Sequence, residues 1–175
     1  RRAVQPPSVL VLVAEGYRQG DAALPLAAGA GADAVTDLLR KGGLRIADTA
    51  IVRACCSPEE LRERVTGGHE SGAELARQGF ADVTVLGEVA IEAEPDSPGA
   101  NVFENRARIV CRVFRGTDGK LTESIVQEAV VHSAEAVEGA QMALEDACAK
   151  LADDLVHFAA LAGLSASDDT TVTIR

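Results

Sequence analysis

Three strand-like runs separated by short turns, then one long apolar-faced helix, fill Ala81 to Leu164, and few folds accept that succession. Val83, Val85, Val89 and Ile91 alternate with Thr84, Glu88 and Glu92, the two-residue period of a strand with one dry and one wet face. Glu94-Pro95-Asp96-Ser97-Pro98-Gly99 ends the run, because proline brings no N–H to a ladder and small polar residues favour turns. Alternation resumes with Ala107, Ile109, Cys111 and Val113 against Arg106, Arg108 and Arg112. Gly116-Thr117-Asp118-Gly119 supplies a hairpin turn, and a third strand is expected from Lys120 to His132. Val137, Ala140, Leu144, Ala147, Leu151, Leu155 and Phe158 then recur at three- and four-residue steps, with Glu138, Gln141, Glu145, Asp146 and Asp153 facing away. That is a helix lying on a sheet. Burying such a stripe gives on the order of 10 kcal/mol of gross transfer free energy before ordering entropy is subtracted, so this helix is expected to organise the core.

Upstream, Ser8 to Ala14 is a continuous apolar run rich in β-branched residues, as in a central strand covered on both sides. Residues 15–31 hold Gly16, Gly20, Pro25, Gly29 and Gly31 and read as a flexible loop. Asp33 to Lys41 reads as a short helix, with Val35, Leu38 and Leu39 on one side and Gly42-Gly43 as its stop. Leu44 to Arg53 reads as a second strand. Ser57-Pro58-Glu59-Glu60 is a capping box that opens a helix, weakened at Gly67-Gly68, resumed from Ser71 to Gln78 and stopped at Gly79. Residues 165–175 end in the alternating Thr171-Val172-Thr173-Ile174, expected to be a final strand or the start of a linker. The order predicts an α+β fold: a mixed sheet with early β-α-β crossovers, then an antiparallel three-strand meander covered by a long C-terminal helix. With 175 residues, the chain is expected to form a single α+β domain over 1–175, cut from a longer protein.

A net charge of -10 argues against a phosphate-backbone partner or an anionic membrane surface, and 3% aromatic residues without Trp leave no stacking platform for single strands. No nucleic acid partner is expected. Val9 to Ala14 is too short to span a bilayer, so direct membrane insertion of this segment is not expected either. Cys55 and Cys56 are adjacent, a pair that closes only a strained ring. Cys111 and Cys148 lie on apolar sides of their elements, as buried thiols or, in an oxidising compartment, as a disulfide.

No spacing names a reaction. Gly29-Ala30-Gly31-Ala32-Asp33-Ala34 matches G-x-G-x-x-A, but that motif needs its glycines directly off a strand, and here a long segment separates them from Ala14. His69-Glu70 with Glu74 lacks the second histidine of a helical zinc motif, because Ala73 stands at the required position. His132 and His157 are isolated, and Ser57 is explained as a cap. Catalytic residues, cofactor-binding residues and metal ligands are therefore expected to be none, and cofactors none. Arg106, Arg108 and Arg112 share the outward side of one strand opposite glutamates, which cross-strand pairing explains; an acidic-peptide groove there is the alternative.

The segment from Glu70 to Glu92, a small-residue helix ending in Gly before an alternating strand, carries a family likeness together with Asn105 to Ser124, the helix Ala134 to Val156 and Thr170 to Ile174. This layout resembles the envelope proteins grouped around flagellar assembly protein T, the lipoprotein activator B of penicillin-binding proteins, the curli secretion protein G and the TolB amino-terminal domain. The resemblance implies a bacterial envelope module, periplasmic or outer-membrane-associated, that binds other proteins, forms rings or activates an enzyme and catalyses nothing itself. The reading is therefore a non-catalytic protein-interaction or assembly scaffold, with a protein partner or its own copies engaged through a sheet edge or exposed loop. The alternatives are a small-molecule or nucleotide-binding domain using the Gly-rich loop 16–31, or an intracellular, cytoplasmic adaptor. The long segment from Glu15 to Gly31 and the adjacent cysteines depart from the usual pattern.

Overall fold

The computed structural model describes residue 5 and residues 7–168, with side-chain surroundings to His157. In chain order its elements are β1 (Ser8–Gln19), β2 (Ala22–Ala23), α1 (Ala30–Lys41), β3 (Arg45–Ile46), α2 (Ala50–Cys55), α3 (Pro58–Thr66) and α4 (Gly68–Arg77). β4 (Val83–Pro95), β5 (Phe103–Arg115), β6 (Leu121–Ser133) and α5 (Ala136–Asp168) follow. The sheet runs β2-β1-β4-β5-β6, with β3 against the start of β1. β1 and β4 are parallel, from Val9 opposite Val83 to Gln19 opposite Ala93, whereas β4, β5 and β6 form an antiparallel meander. This is the α+β, mixed-sheet architecture that the element order predicts. Ser8 fixes the parallel register: its N–H and hydroxyl both lie 2.8 Å from Asp82 Oδ2, across 74 residues of sequence.

Strand alternation sorts side chains between two layers. Val9, Val11, Val85, Val89, Ile91, Ile109, Cys111 and Val113 face α1 and α5, where they meet Val35, Leu39, Leu144, Cys148, Leu151 and Leu155. On the other face, Leu10, Leu12, Leu86 and Phe114 meet Val52, Val65, Leu75 and Ala76 from α2, α3 and α4. Thr84, expected on a wet face, is consequently buried, because the short helices cover that half of β4. Past Gly87 the cover ends, and Glu88, Ala90 and Glu92 are exposed. Gly72 permits the close seat of α4, since a Cβ there would stand 2.5 Å from the Phe114 ring.

Several boundaries differ from expectation for identifiable reasons. β1 does not stop at Ala14 but continues to Gln19, turns at Gly20 (φ 56°) and pairs back through Ala22–Ala23, so the expected loop over 15–31 shrinks to the stretch before α1. The expected strand from Leu44 to Arg53 is only Arg45–Ile46, because Asp48 Oδ1 accepts the Ala50 N–H at 2.8 Å and turns the chain into α2. The capping box forms as read: Ser57 Oγ accepts the Glu60 N–H and Glu60 accepts the Ser57 N–H. In α5 the apolar stripe begins at Ala136, leaving Val137 41% exposed. Residues 165–168 are helical rather than strand or linker; 169–175, with Thr171 to Ile174, lie outside the described residues, as does the side chain of Phe158. No described helix is long and apolar enough to cross a membrane.

Candidate interaction site

The first strand has an open edge with a built-up surround. Ala47 N–H donates to Val9 O at 2.9 Å and Leu24 N–H to Tyr17 O at 3.1 Å, both on the side of β1 away from β4. Backbone groups alternate sides along a strand, so Val11, Val13 and Glu15 also direct N–H and C=O away from β4. Among the described residues these groups have no hydrogen-bond partner. The sequence explains the gap at both ends. β3 ends where Asp48 diverts the chain, and β2 ends where the Leu26 N–H, which would continue the ladder toward Glu15, turns back to the Leu24 carbonyl at 2.9 Å.

A cleft of about 600 Å³ lies along this edge. Val11, Leu12, Val13, Ala14 and Glu15 form its floor, and Ala28, Gly29, Ala32 and Asp33 at the start of α1 form one wall. The other wall is Arg53 and Cys56 with Pro58, Leu61, Arg62 and Val65 of α3. A second hollow of about 360 Å³ continues toward β3 and shares Val11, Asp33 and Arg53. The walls are mostly small or apolar. Arg53 and Arg62 are exposed on the rim and form no ion pair among the described residues.

Glu15 decides what the α1 wall can bind. Gly29 caps α1 at φ 83°, a backbone shape suited to glycine, but it has no side chain to receive the first N–H groups. Glu15 reaches across from β1 instead. Its carboxylate accepts the Gly29 N–H at 2.8 Å and the Ala32 N–H at 3.0 Å. The helix N-terminus inside G-x-G-x-x-A thus already holds an internal anion, in the position where a nucleotide phosphate would sit. Gly31 belongs to the same arrangement, since a Cβ there would meet Glu15 Oε1 at 2.8 Å. The Tyr17 hydroxyl is buried beside it without a well-placed partner, and burial first, then Glu15, pushes its pKa well above the ordinary phenol value.

The other residues singled out from sequence divide among structural roles. Arg106 pairs with Glu104 at 3.0 Å and Arg108 with Glu128 at 3.2 Å, while Arg112 passes under α3 to the Val65 carbonyl and lies 5.8 Å from the Phe114 ring centroid. They do not form one groove. His69 stands edge-on to Phe114 at 5.8 Å, with Glu70 and Glu74 exposed on α4. His132 is not isolated: the β5–β6 register sets it opposite Glu104, with Nε2 3.7 Å from Glu104 Oε2 and 3.4 Å from Asp96 Oδ1. All four cysteines are free thiols; Cys148 Sγ points at the Gly31 carbonyl, 3.9 Å away. The open β1 edge was missed in the sequence, although Val11, Val13, Glu15 and Tyr17 continue one alternating row past Gly16.

The fold defined by this sheet and helix is shared with a solved bacterial lipoprotein, and weaker likenesses extend to others. Lipoprotein GNA1162 from Neisseria meningitidis is 15% identical, aligns over 85% of this chain and 99% of its own, and superposes with a TM-score of 0.50. The PelC dodecamer from Paraburkholderia phytofirmans is 16% identical over 84% of this chain and 87% of that one, with a TM-score of 0.46. The LpoB C-terminal domain from Salmonella enterica is 14% identical over 73% of this chain and 84% of that one, with a TM-score of 0.38. Structural neighbours thus include a lipoprotein and the LpoB domain, and at these identities the likeness is one of fold alone. No family model matches the sequence, and no curated protein matches it.

Proposed function

We propose that this chain is a non-catalytic interaction domain of a bacterial envelope protein, periplasmic or outer-membrane-associated, which binds a protein partner or further copies of itself. The observation that carries this reading is the open middle of β1, where hydrogen-bonding backbone lines the floor of a cleft with small and apolar walls. The fold shared with a lipoprotein supports the envelope setting. Glu15 caps α1, Ser57 caps α3, and Arg106 and Arg108 are paired on the sheet, so these side chains have structural roles.

The test uses the full-length protein in its native envelope, with a photoreactive amino acid at Arg53 or Arg62 on the rim and, as control, at Glu123 on the far strand. Cleft positions are expected to yield a discrete protein adduct that the control does not. Absence of any adduct from both cleft positions counts against the reading.

A further inference from the structure

We infer that the β1 edge is a strand-addition site: it takes an extended segment of about five residues from a partner protein, paired through its main chain and carrying an acidic side chain toward Arg53 and Arg62. This rests on the interaction-domain reading and specifies its ligand. The length follows from the window. β3 occupies the edge at Ser8 and Val9, β2 occupies it at Arg18 and Gln19, and Val11 to Glu15 between them spans about 13 Å at the usual strand rise. The pairing follows from three successive outward N–H and C=O sets, which need a polar partner, and an extended peptide supplies donors and acceptors at the same repeat. The charge follows from the rim. In a chain of net charge -10, two arginines without ion-pair partners among the described residues border this cleft on the α3 side, while Glu15 on its floor is committed to α1 and Asp33 stands on the opposite wall.

The other edge of the sheet shows the contrast. Among the described residues β6 is unpaired on its outer edge along Leu121–Ser133, but Lys150 of α5 reaches over it to the Glu128 carbonyl at 3.4 Å, a charged guard of the kind that discourages strand pairing. A strand as long as β6 from a second copy would also collide with β2 and β3 at the ends of the window. A short extended segment, from a terminus or a loop, meets neither obstacle.

The experiment pans a phage library of linear random heptapeptides on the folded protein and resynthesises the enriched sequences. Binding is expected to slow hydrogen exchange of the Val11, Val13 and Glu15 amides by about tenfold or more, because those N–H groups become bonded. N-methylation of alternate peptide residues is expected to weaken binding about tenfold in one phase and little in the other. Val13→Pro removes an outward donor without touching the ladder to β4 and should abolish binding; Arg62→Glu should weaken it and Arg62→Lys should not. If Val13→Pro fails to fold, the peptide methylation series and Arg62→Glu still decide. No enriched peptide, or peptides that bind without slowing those three amides, overturns strand addition. A photo-adduct at Arg62 together with that result leaves the interaction-domain reading standing, whereas loss of both removes both.

Discussion

Replacing Glu15 with alanine tests the side chain whose hydrogen bonds tie the first strand to the first helix. The variant strips the α1 N-terminus of an anion that receives two N–H groups, at 2.8 and 3.0 Å, in a half-buried setting. Losing a capping acceptor costs about 1 kcal/mol and losing a partly buried charge at a helix N-terminus costs up to about 2 kcal/mol, so a loss of roughly 2–3 kcal/mol is expected. For a chain of this size that corresponds to a fall in melting temperature of about 5–10 °C. The variant also vacates an anion seat. Millimolar phosphate or sulfate should therefore restore part of the lost stability in Glu15→Ala while leaving the wild type unmoved, because only the variant offers free helix N–H groups. Tyr17 gives a second reading: its phenol pKa should move part of the way down, since Glu15 is the second cause of its elevation and burial, the first, remains. Melting curves with and without phosphate and a spectroscopic titration of Tyr17 make the measurement. A variant as stable as wild type, or one indifferent to phosphate, would refute the assignment of Glu15 as the cap.

Gly72→Ala places a methyl group 2.5 Å from Phe114 Cζ and 3.0 Å from Leu86 Cδ1, both fully buried. Overpacking of about 1–3 kcal/mol should exceed the helix-propensity gain of about 1 kcal/mol, and a variant at least as stable as wild type in urea would contradict the seat described for α4. Cys111 and Cys148 are each pushed up to about 12, chiefly by burial, with Glu15 and Glu145 adding to the effect at Cys148. A folded pKa above the unfolded value of about 9 means that their contribution to stability is complete below that pH and is lost as pH rises from about 9 toward 12. Urea midpoints from neutral pH upward should fall through that window and fall less in a Cys111→Ala, Cys148→Ala variant; identical profiles for the two proteins would exclude the thiols as the cause.

Much of the architecture could be read from periodicity because each strand of the meander has one face under α5. Val85, Val89, Ile91, Ala107, Ile109, Cys111 and Val113 are buried as their alternation predicts. Alternation alone puts Thr84 on a wet face, but alternation reports a covered face only when the other is bare, and the short helices cover the half of β4 that holds Thr84 and Leu86. The glycines after Ala14 suggest a loop, yet Gly16 lies inside β1 and the chain turns at Gly20. Glu15 as a cap had no local sequence signature. Its partners are 14 and 17 residues away and meet it only after β1 and α1 have packed. His132 beside Asp96 and Glu104 was hidden for the same reason, since strand register brings them together.

The cleft follows from the same physics that ends β2 and β3 early. The turn at Leu24 to Leu26 and the one at Asp48 each stop a pairing strand after two residues, which leaves the edge of β1 between them in a cleft lined by α1 and α3. An edge left bare in this way would ordinarily invite uncontrolled pairing. Here the flanking strands restrict it to the length of Val11 to Glu15, and α1 and α3 admit approach only along the cleft. On β6, Lys150 stands over the edge. One edge of the sheet is guarded by charge and the other by shape, and a guard of shape leaves room for a strand of the right length.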